Sequence, residues 1–316
     1  QPPGPTIQLR YRHQQPGEGE PLTTADIRDR LQHGLLFDGA MGTMLGAADD
    51  KTWKVPEELN LNDPDRVRGV HRAYAEAGAD VIATNTFGGN RIRLERAGFA
   101  DRVEEFNVAA ALLAREASGD DVLVAGDIGP SGEFMEPLGE RSREEFVAAF
   151  TEQAAALAAG GCDLLLIETM SDLGETGVAI EAALTTGLPV IATMSFDTAG
   201  RTMMGVSPAD AAIQLAEMGV IAVGANCGMG PDEMTPVLEQ MHEAAPDTPV
   251  LGQSNAGMPR IDGEHVHYDC TPAEMAAHAE AWLAAGIQLI GSCCGSTPEH
   301  VGALRAVLDR HQAANS

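Results

Sequence analysis

An alternation of short apolar runs and helical stretches repeats eight times along this chain, and it constrains the fold more than any other feature. Each run is rich in β-branched residues and is followed by a polar or glycine-rich turn and then by an alanine- and glutamate-rich segment. The apolar runs span residues 34–38, 81–87, 122–128, 163–168, 190–196, 220–226, 250–254 and 288–293. The helical segments follow near 63–77, 103–117, 142–160, 174–186, 208–218, 231–243, 271–285 and 297–310.

Eight strand–helix units in one chain of 316 residues predict an α/β fold, a single-domain (β/α)8 TIM barrel. A doubly wound open sheet is the alternative. The barrel is favoured because the count is eight, because no Gly/Pro-rich linker divides the chain, and because the runs are apolar on both faces, as in buried parallel strands. We expect the barrel to occupy residues 26–316. A Pro-, Gly- and Gln-rich stretch at 1–25 is expected to form a disordered tail.

The charge balance narrows the range of partners. The chain has 47 acidic and 20 basic residues, for a net charge of −27. Such a surface repels nucleic-acid phosphates and anionic lipid, so neither nucleic acid nor membrane is expected as a partner. No apolar run approaches the length of a membrane span, and the N-terminal stretch has no signal-peptide core. Five cysteines in a chain of this size fit a reducing cytoplasm better than a disulfide framework.

Polar residues that could take part in catalysis or ligand binding cluster where the apolar runs end. In a TIM barrel the active site lies at that edge, where strands end and the following loops begin. The residues in these positions are Asp38, Asn85, Glu168, Asn226, Cys227, Asn255, Cys293 and Cys294.

Three of these residues are cysteines flanked by glycine. Cys227 follows the sixth run, and Cys293 and Cys294 end the eighth within a GSCCG segment. Three thiolates can hold zinc and leave one tetrahedral position open. Neighbouring residues of a regular strand point to opposite faces, so the backbone must leave strand geometry there, which Gly291 and Gly295 permit. The trio therefore predicts an open zinc site, and a metal with three thiolate ligands favours activation of another sulfur over activation of water.

Other interpretations of the cysteines compete with this one. Cys162 and Cys270 are expected to pack as small hydrophobic residues, as buried free cysteines usually do. A redox disulfide between Cys293 and Cys294 is a rival, although a ring between neighbours departs from ordinary disulfide geometry. The Gly-Ser-Thr sequence at 295–297 also resembles the phosphate cradle that many barrels build after the last strand.

The order of the motifs resembles that of the homocysteine S-methyltransferase family, from about Gly34 to the C-terminus. The matching motifs are DGAMGTM at 38–44, TNTF at 84–87, GP at 129–130, ET at 168–169, GRT at 200–202, NC at 226–227, NAG at 255–257 and GSCCG at 291–295. Within the family, GRTMMG, NCGMGP and NAGMP are most similar to the homocysteine-binding module of cobalamin-dependent methionine synthase.

The resemblance implies a (β/α)8 barrel that holds Zn²⁺ through Cys227, Cys293 and Cys294, which serve as metal ligands and catalytic residues. It implies methyl transfer to the thiol of homocysteine, giving methionine. The expected donor is a methylcorrinoid such as methylcobalamin, supplied by another domain or a corrinoid protein. Alternatives are a homocysteine methyltransferase that uses betaine or S-methylmethionine, and a non-catalytic zinc barrel that docks a corrinoid protein.

The resemblance also assigns contacts to the amino acid end of the substrate. Its ammonium needs carboxylates, for which Asp38 and Glu168 are the candidates; the alternative for each is a helix-capping or ion-paired acid. Asn226 is expected to support the site, with Asn85 in a similar role, and Asn255 is expected to fill the open zinc position without substrate. For the asparagines the alternative is a left-handed turn residue. The substrate carboxylate is expected at the backbone N–H groups of a glycine-rich turn, namely Gly39, Ala40, Met41, Gly42 and Thr43.

Overall fold

A computed structural model describes residues 22–46, 53–197, 199–262 and 265–315 of the chain. The tail expected at 1–25 lies outside the described residues up to residue 21. The first helix already begins at Thr24. The described part of the chain contains ten strands and twelve α-helices.

The strands of the main sheet coincide with the eight predicted apolar runs. They are β1 (Leu35–Leu36), β2 (Val81–Ala83), β3 (Leu123–Ile128), β4 (Leu164–Met170), β5 (Val190–Met194), β6 (Ala222–Asn226), β7 (Val250–Ser254) and β10 (Leu289–Ser292). Between β7 and β10, strands β8 (Arg260–Asp262) and β9 (His265–His267) form a separate antiparallel hairpin.

The helices include all eight that the sequence predicts. They are α4 (Pro64–Glu76), α6 (Val103–Ser118), α7 (Arg143–Ala159), α8 (Leu173–Leu184), α9 (Pro208–Glu217), α10 (Pro231–Ala244), α11 (Pro272–Ala284) and α12 (Pro298–Asn315). Four short helices were not predicted: α1 (Thr24–Gln32), α2 (Met41–Leu45), α3 (Leu59–Asn62) and α5 (Arg91–Ala97). Proline at the first position favours five of the predicted helices, because it fixes the backbone dihedral and has no N–H to leave unbonded.

The main sheet is parallel and closes on itself. Its strands pair in the order β2-β3-β4-β5-β6-β7-β10-β1. The Asp38 N–H donates to Val81 O at 3.1 Å, and the Asp80 N–H donates to Leu36 O at 2.7 Å, which joins β1 to β2. These contacts confirm the (β/α)8 barrel and exclude the open doubly wound sheet.

The barrel interior is filled by alternate residues of the strands. Leu123 and Ala125 of β3 belong to the interior cluster, as do Leu164 and Leu166 of β4. Helix α1 closes the amino-terminal end by burying Ile27 and Leu31 against the same cluster. Because side chains alternate along a strand, the next inward positions are Asp127 of β3 and Glu168 of β4. The carboxyl-terminal end of the barrel therefore has an acidic upper layer above an aliphatic one.

None of the described helices combines the length and the apolar character that crossing a membrane requires.

Candidate active site

Three thiols meet at the carboxyl-terminal mouth of the barrel. The Sγ atoms of Cys227 and Cys294 are 3.7 Å apart, and those of Cys293 and Cys294 are 4.0 Å apart. All three sulfur atoms lie within 4.8 Å of one another, and no other group of three or more potential ligands is found among the described residues. The structure thus brings together the three cysteines that the sequence singled out.

The local backbone explains how two adjacent cysteines face one point. Strand β10 ends at Ser292, so Cys293 and Cys294 lie beyond it, as predicted. Gly295 has φ +81°, and a Cβ there would lie 2.1 Å from Tyr268 Cγ, so only glycine fits. Cys227 has φ +57°, an uncommon conformation for a residue with a side chain, which turns its thiol toward the pair.

The trio is anchored to β7 by backbone hydrogen bonds. The Cys293 N–H donates to Ser254 O at 2.8 Å, and the Cys227 N–H donates to Gln253 O at 3.1 Å. The left-handed residue at the end of β6 is Cys227, and neither Asn226 nor Asn255 is among the positive-φ residues of the described chain. The interpretation of these asparagines as left-handed turn residues is therefore wrong.

The three thiols influence one another's pKa values. Hydrogen bonding to Cys227 and Cys293, with a smaller contribution from the nearby Tyr268 hydroxyl, lowers the pKa of Cys294. Hydrogen bonding to Cys227 and Cys294 raises the pKa of Cys293 well above its usual range. A thiolate at one corner is thus supported by donors at the other two, and a metal that replaces those protons would bind all three sulfurs.

The geometry fits zinc. Zinc–sulfur bonds of about 2.3 Å in a tetrahedron place the sulfurs about 3.8 Å apart, close to the 3.7 and 4.0 Å observed. Asn255, at the end of β7, is 3% exposed, and its Oδ1 has no hydrogen-bond partner. An orphaned buried acceptor of this kind suits a cation, because burying it without a partner is otherwise unfavourable.

Both predicted carboxylates lie at the mouth. Asp38 is 3% exposed, and its Oδ2 accepts the Ala83 N–H at 3.0 Å. Burial is the main reason that the pKa of Asp38 is raised well above its usual range, although the Ala83 N–H opposes the shift. Glu168 is partly buried, and burial followed by the charge of Cys294 raises its pKa to about 7. Neither residue caps a helix or forms an ion pair among the described residues, so the alternative roles weighed for them are not found.

Asn226 orients Glu168. Its Nδ2 donates to Glu168 Oε2 at 2.9 Å and to Thr169 Oγ1 at 2.7 Å. Its Oδ1 accepts the Thr169 N–H at 2.7 Å and the Thr193 hydroxyl at 2.6 Å. Thr169 has φ +59°, and the pairing of β4 with β5 shifts register there. This fully buried amide thus stabilises an irregular strand end that aims Glu168 into the mouth.

The glycine-rich turn after β1 is partly a helix. Residues Met41–Leu45 form α2, and the Ala40 N–H already donates to Ser296 Oγ at 3.1 Å. Ala40 is therefore not a free donor for a substrate carboxylate in this structure. Asn85 does not face the thiols: its Nδ2 donates to Pro56 O at 2.8 Å and to Asn60 Oδ1 at 2.9 Å. That amide ties the loop after β2 to the segment before α4.

The phosphate cradle at 295–297 is not found. The Gly295 N–H donates to Thr43 Oγ1, the Ser296 N–H to Cys293 O, and the Thr297 N–H to His300 Nδ1. With three amides occupied, this turn has no free backbone donors to offer an anion.

The other cysteine interpretations concern the state and burial of each thiol. All five cysteines are free thiols in this structure, and the Sγ atoms of Cys293 and Cys294 are 4.0 Å apart. Cys162 is 5% exposed in the core, where burial raises the pKa of its thiol, and Cys270 packs against the core edge. Both therefore pack as expected.

Two residues that the sequence did not single out lie near the site. Tyr268, which follows the β8–β9 hairpin, packs against Gly295 beside the trio and contributes to the lowered pKa of Cys294. Asp127 lies in β3, 5% exposed, with Oδ1 unpartnered. The signal for Asp127 was an acid at an inward position near the end of an apolar run. No comparable signal marked Tyr268.

Known protein sequences are similar to this chain over most of its length. The sequence profile described as homocysteine S-methyltransferase matches residues 35–308. Methionine synthase from Mycobacterium tuberculosis is 33% identical over 307 residues, which cover 91% of this chain and 26% of that protein. Methionine synthase from Mycobacterium leprae is 32% identical and covers 90% of this chain and 25% of that protein. The chain thus spans about a quarter of the length of these curated relatives.

Solved structures agree with the sequence comparison. The metallated form of the homocysteine methyltransferase MmuM from Escherichia coli has a TM-score of 0.73 and 25% identity, covering 87% of this chain and 96% of that one. The oxidized form of the same protein has a TM-score of 0.71 and 28% identity over the same shares. With residues 35–308 matched by the family profile, the chain belongs to the homocysteine S-methyltransferase family.

Proposed function

We propose that this barrel holds Zn²⁺ through Cys227, Cys293 and Cys294 and catalyses methyl transfer to the thiol of homocysteine, giving methionine. The observation that carries the proposal is the spacing of the three sulfurs, 3.7 and 4.0 Å along two edges, at the open end of a closed barrel. Membership of the family and the similarity to a metallated homocysteine methyltransferase support it.

The residues around the thiols would have separate roles in binding and catalysis. Bound zinc would keep the substrate sulfur deprotonated and nucleophilic near neutral pH. Asp38 and Glu168 would bind the substrate ammonium, with Glu168 oriented by Asn226. Backbone N–H groups of segment 39–43 other than that of Ala40 remain the candidates for the substrate carboxylate. In the transfer, the S–CH3 bond forms as the donor–CH3 bond breaks, and the electron pair of the broken bond leaves with the donor.

The proposed donor is a methylcorrinoid presented by another domain or protein. The curated relatives are methionine synthases about four times as long as this chain. Large apolar side chains also stand exposed on three loops that follow barrel strands, at the same end as the thiols. They are Phe134, Leu138, Met203, Met204 and Met258. An apolar rim of this kind suits a bulky partner better than a small charged donor such as betaine.

A reducing cytoplasm is the proposed compartment. The thiol trio is partly exposed at the mouth and contains three sulfurs within 4.8 Å of one another. Thiols so placed need reducing conditions or a bound metal to escape oxidation.

A donor assay tests the proposal. The zinc-loaded chain is incubated with homocysteine and, in separate arms, methylcobalamin, methyltetrahydrofolate, betaine or S-methylmethionine, and methionine is measured. We expect methionine from methylcobalamin alone. Methionine from betaine or S-methylmethionine alone would overturn the corrinoid donor while preserving the methyltransferase. No methionine from any donor would favour the non-catalytic zinc barrel.

Metal content distinguishes that alternative further. Structural zinc sites are closed by four protein ligands, whereas catalytic sites keep a position open. Among the described residues the trio is the only candidate ligand group, and it supplies three ligands. We expect one zinc per chain and a change in the metal's coordination when homocysteine is added, measured by X-ray absorption. An unchanged zinc–sulfur coordination number would contradict a catalytic role.

A further inference from the structure

Asp127 is a buried acid with one oxygen left free. Its side chain is 5% exposed, and Oδ1 has no hydrogen-bond partner. Its N–H donates to Thr84 Oγ1 at 3.0 Å, so the strand position itself is firmly held. A buried carboxylate oxygen without a donor is unfavourable unless a ligand supplies one.

Strand register places this acid between the two carboxylates already assigned to the substrate. Asp127 pairs with Leu166, so Glu168 lies one inward position further along the neighbouring strand β4. On the other side Ala125 pairs with Ala83, whose N–H donates to Asp38 Oδ2 at 3.0 Å. Asp38 follows β1, Asp127 lies in β3 and Glu168 lies in β4, so the three acids share one side of the barrel wall, with β2 between Asp38 and Asp127. The charges of Glu168 and Asp38, after burial itself, raise the pKa of Asp127 well above its usual range.

No lysine or arginine forms an ion pair with any of these three acids in the described residues. Resting on the function proposed above, we propose that Asp127 is a third carboxylate for the substrate ammonium, and that it makes the site select amino thiols over simple thiols. A primary ammonium has three donors, and Asp38, Glu168 and Asp127 offer one acceptor each.

Glu57 provides a matched contrast. It is 2% exposed and close enough to influence Asp127, but its Oε1 accepts the Gly88 N–H at 2.6 Å. Its carboxylate therefore already has a structural donor. An acid needed only for folding would be satisfied in this way, which Asp127 Oδ1 is not.

The test compares two thiols that differ in the amine alone. L-homocysteine and 4-mercaptobutyrate share the thiol and the carboxylate, and their binding to the zinc-loaded chain is measured by calorimetry. In Asp127→Asn we expect the Kd of homocysteine to rise about 10-fold to 100-fold, as loss of one charged hydrogen bond predicts. The Kd of 4-mercaptobutyrate should change by less than about 2-fold, since that ligand makes no ammonium contact.

Controls separate this role from folding and from the proposed function. Glu57→Gln should leave the ratio of the two Kd values unchanged, and Asp127→Ser replaces Asp127→Asn if the latter does not fold. A ratio unchanged in the Asp127 variants, with homocysteine still bound by the wild type, would overturn the role of Asp127 alone. Failure of the wild type to bind homocysteine would overturn the proposed function and this inference with it.

Discussion

Acids at the two ends of the barrel strands have opposite surroundings. At the amino-terminal end, Asp163 accepts the Val124 N–H at 2.7 Å and pairs with Arg115. Asp80 accepts the Leu36 N–H at 2.8 Å and pairs with Arg305 at 2.9 Å. At the carboxyl-terminal end, Asp127 has an oxygen with no partner.

The same division holds for the cysteines. Cys162, just before β4, packs in the core, whereas the trio at the other end converges on one point. At one end polar groups are bonded within the protein and stabilise it. At the other end acids and thiols lie close together, and the buried Oδ1 atoms of Asp127 and Asn255 have no partner, at a cost to stability that a ligand can recover.

The largest effect should come from removing one thiol. Cys293→Ser should abolish stoichiometric zinc binding and lower turnover at least about 100-fold. Mutation of residues that only hydrogen-bond to metal ligands already lowers metal affinity or activity about 10-fold to 100-fold, and loss of a ligand should cost more. Cys270→Ser is the matched control, since that thiol lies outside the trio. Zinc is measured by elemental analysis and turnover by methionine formation. Full turnover in Cys293→Ser would show that the convergence at the mouth is not the reaction centre.

A smaller effect, on stability alone, is expected at the other end. Arg115 donates to Val122 O at 2.8 Å and Gly119 O at 3.0 Å besides pairing with Asp163. Arg115→Ala should lower the free energy of unfolding by about 1–3 kcal/mol, because it leaves partly buried acceptors without a donor. The affinity for homocysteine should stay unchanged. Arg310→Ala, which removes an exposed pair with Glu280, should cost less than about 1 kcal/mol. Urea unfolding and calorimetry measure the two quantities. A loss of homocysteine affinity in Arg115→Ala would break the division between the ends.

Sequence periodicity was sufficient to predict the strands and helices of the barrel but not the short helix that closes its end. The apolar runs and proline-initiated helices are local signals, and the third run, 122–128, differs from β3 by one residue. Helix α1, which buries Ile27 and Leu31 at the end of the barrel, was not predicted because the tail was expected to reach residue 25, although Thr23 and Asp26 form a capping box at the helix start.

The site was predictable where glycine marked it. Cys227, Cys293 and Cys294 stood out because glycines flank them, which permits the backbone to leave the strand. Long-range contacts were beyond local reasoning. The Ala40 N–H is occupied by Ser296, 256 positions away, and the inward direction of Asp127 follows from strand register.

The smallest effect, a pH dependence, sharpens the contrast between the ends. Because the pKa of Asp127 is raised in the folded chain, mainly by burial, its neutral form is favoured there. Its contribution to stability is complete below the ordinary pKa of 3.8 and is lost as pH rises toward the folded value. Asp127→Asn does not have this loss. As pH rises above 5, the free energy of unfolding of the variant should therefore increase relative to that of the wild type, by at most about 1.4 kcal/mol per pH unit. Glu239→Gln, which changes an exposed acid of α10 to its amide, is the control with which this pH dependence is compared. Urea unfolding of the three chains between pH 5.5 and 8 measures this. A difference for Asp127→Asn that depends on pH no more than the control's would mean that this acid is as well accommodated as Asp163, and the two ends of the barrel would no longer differ in kind.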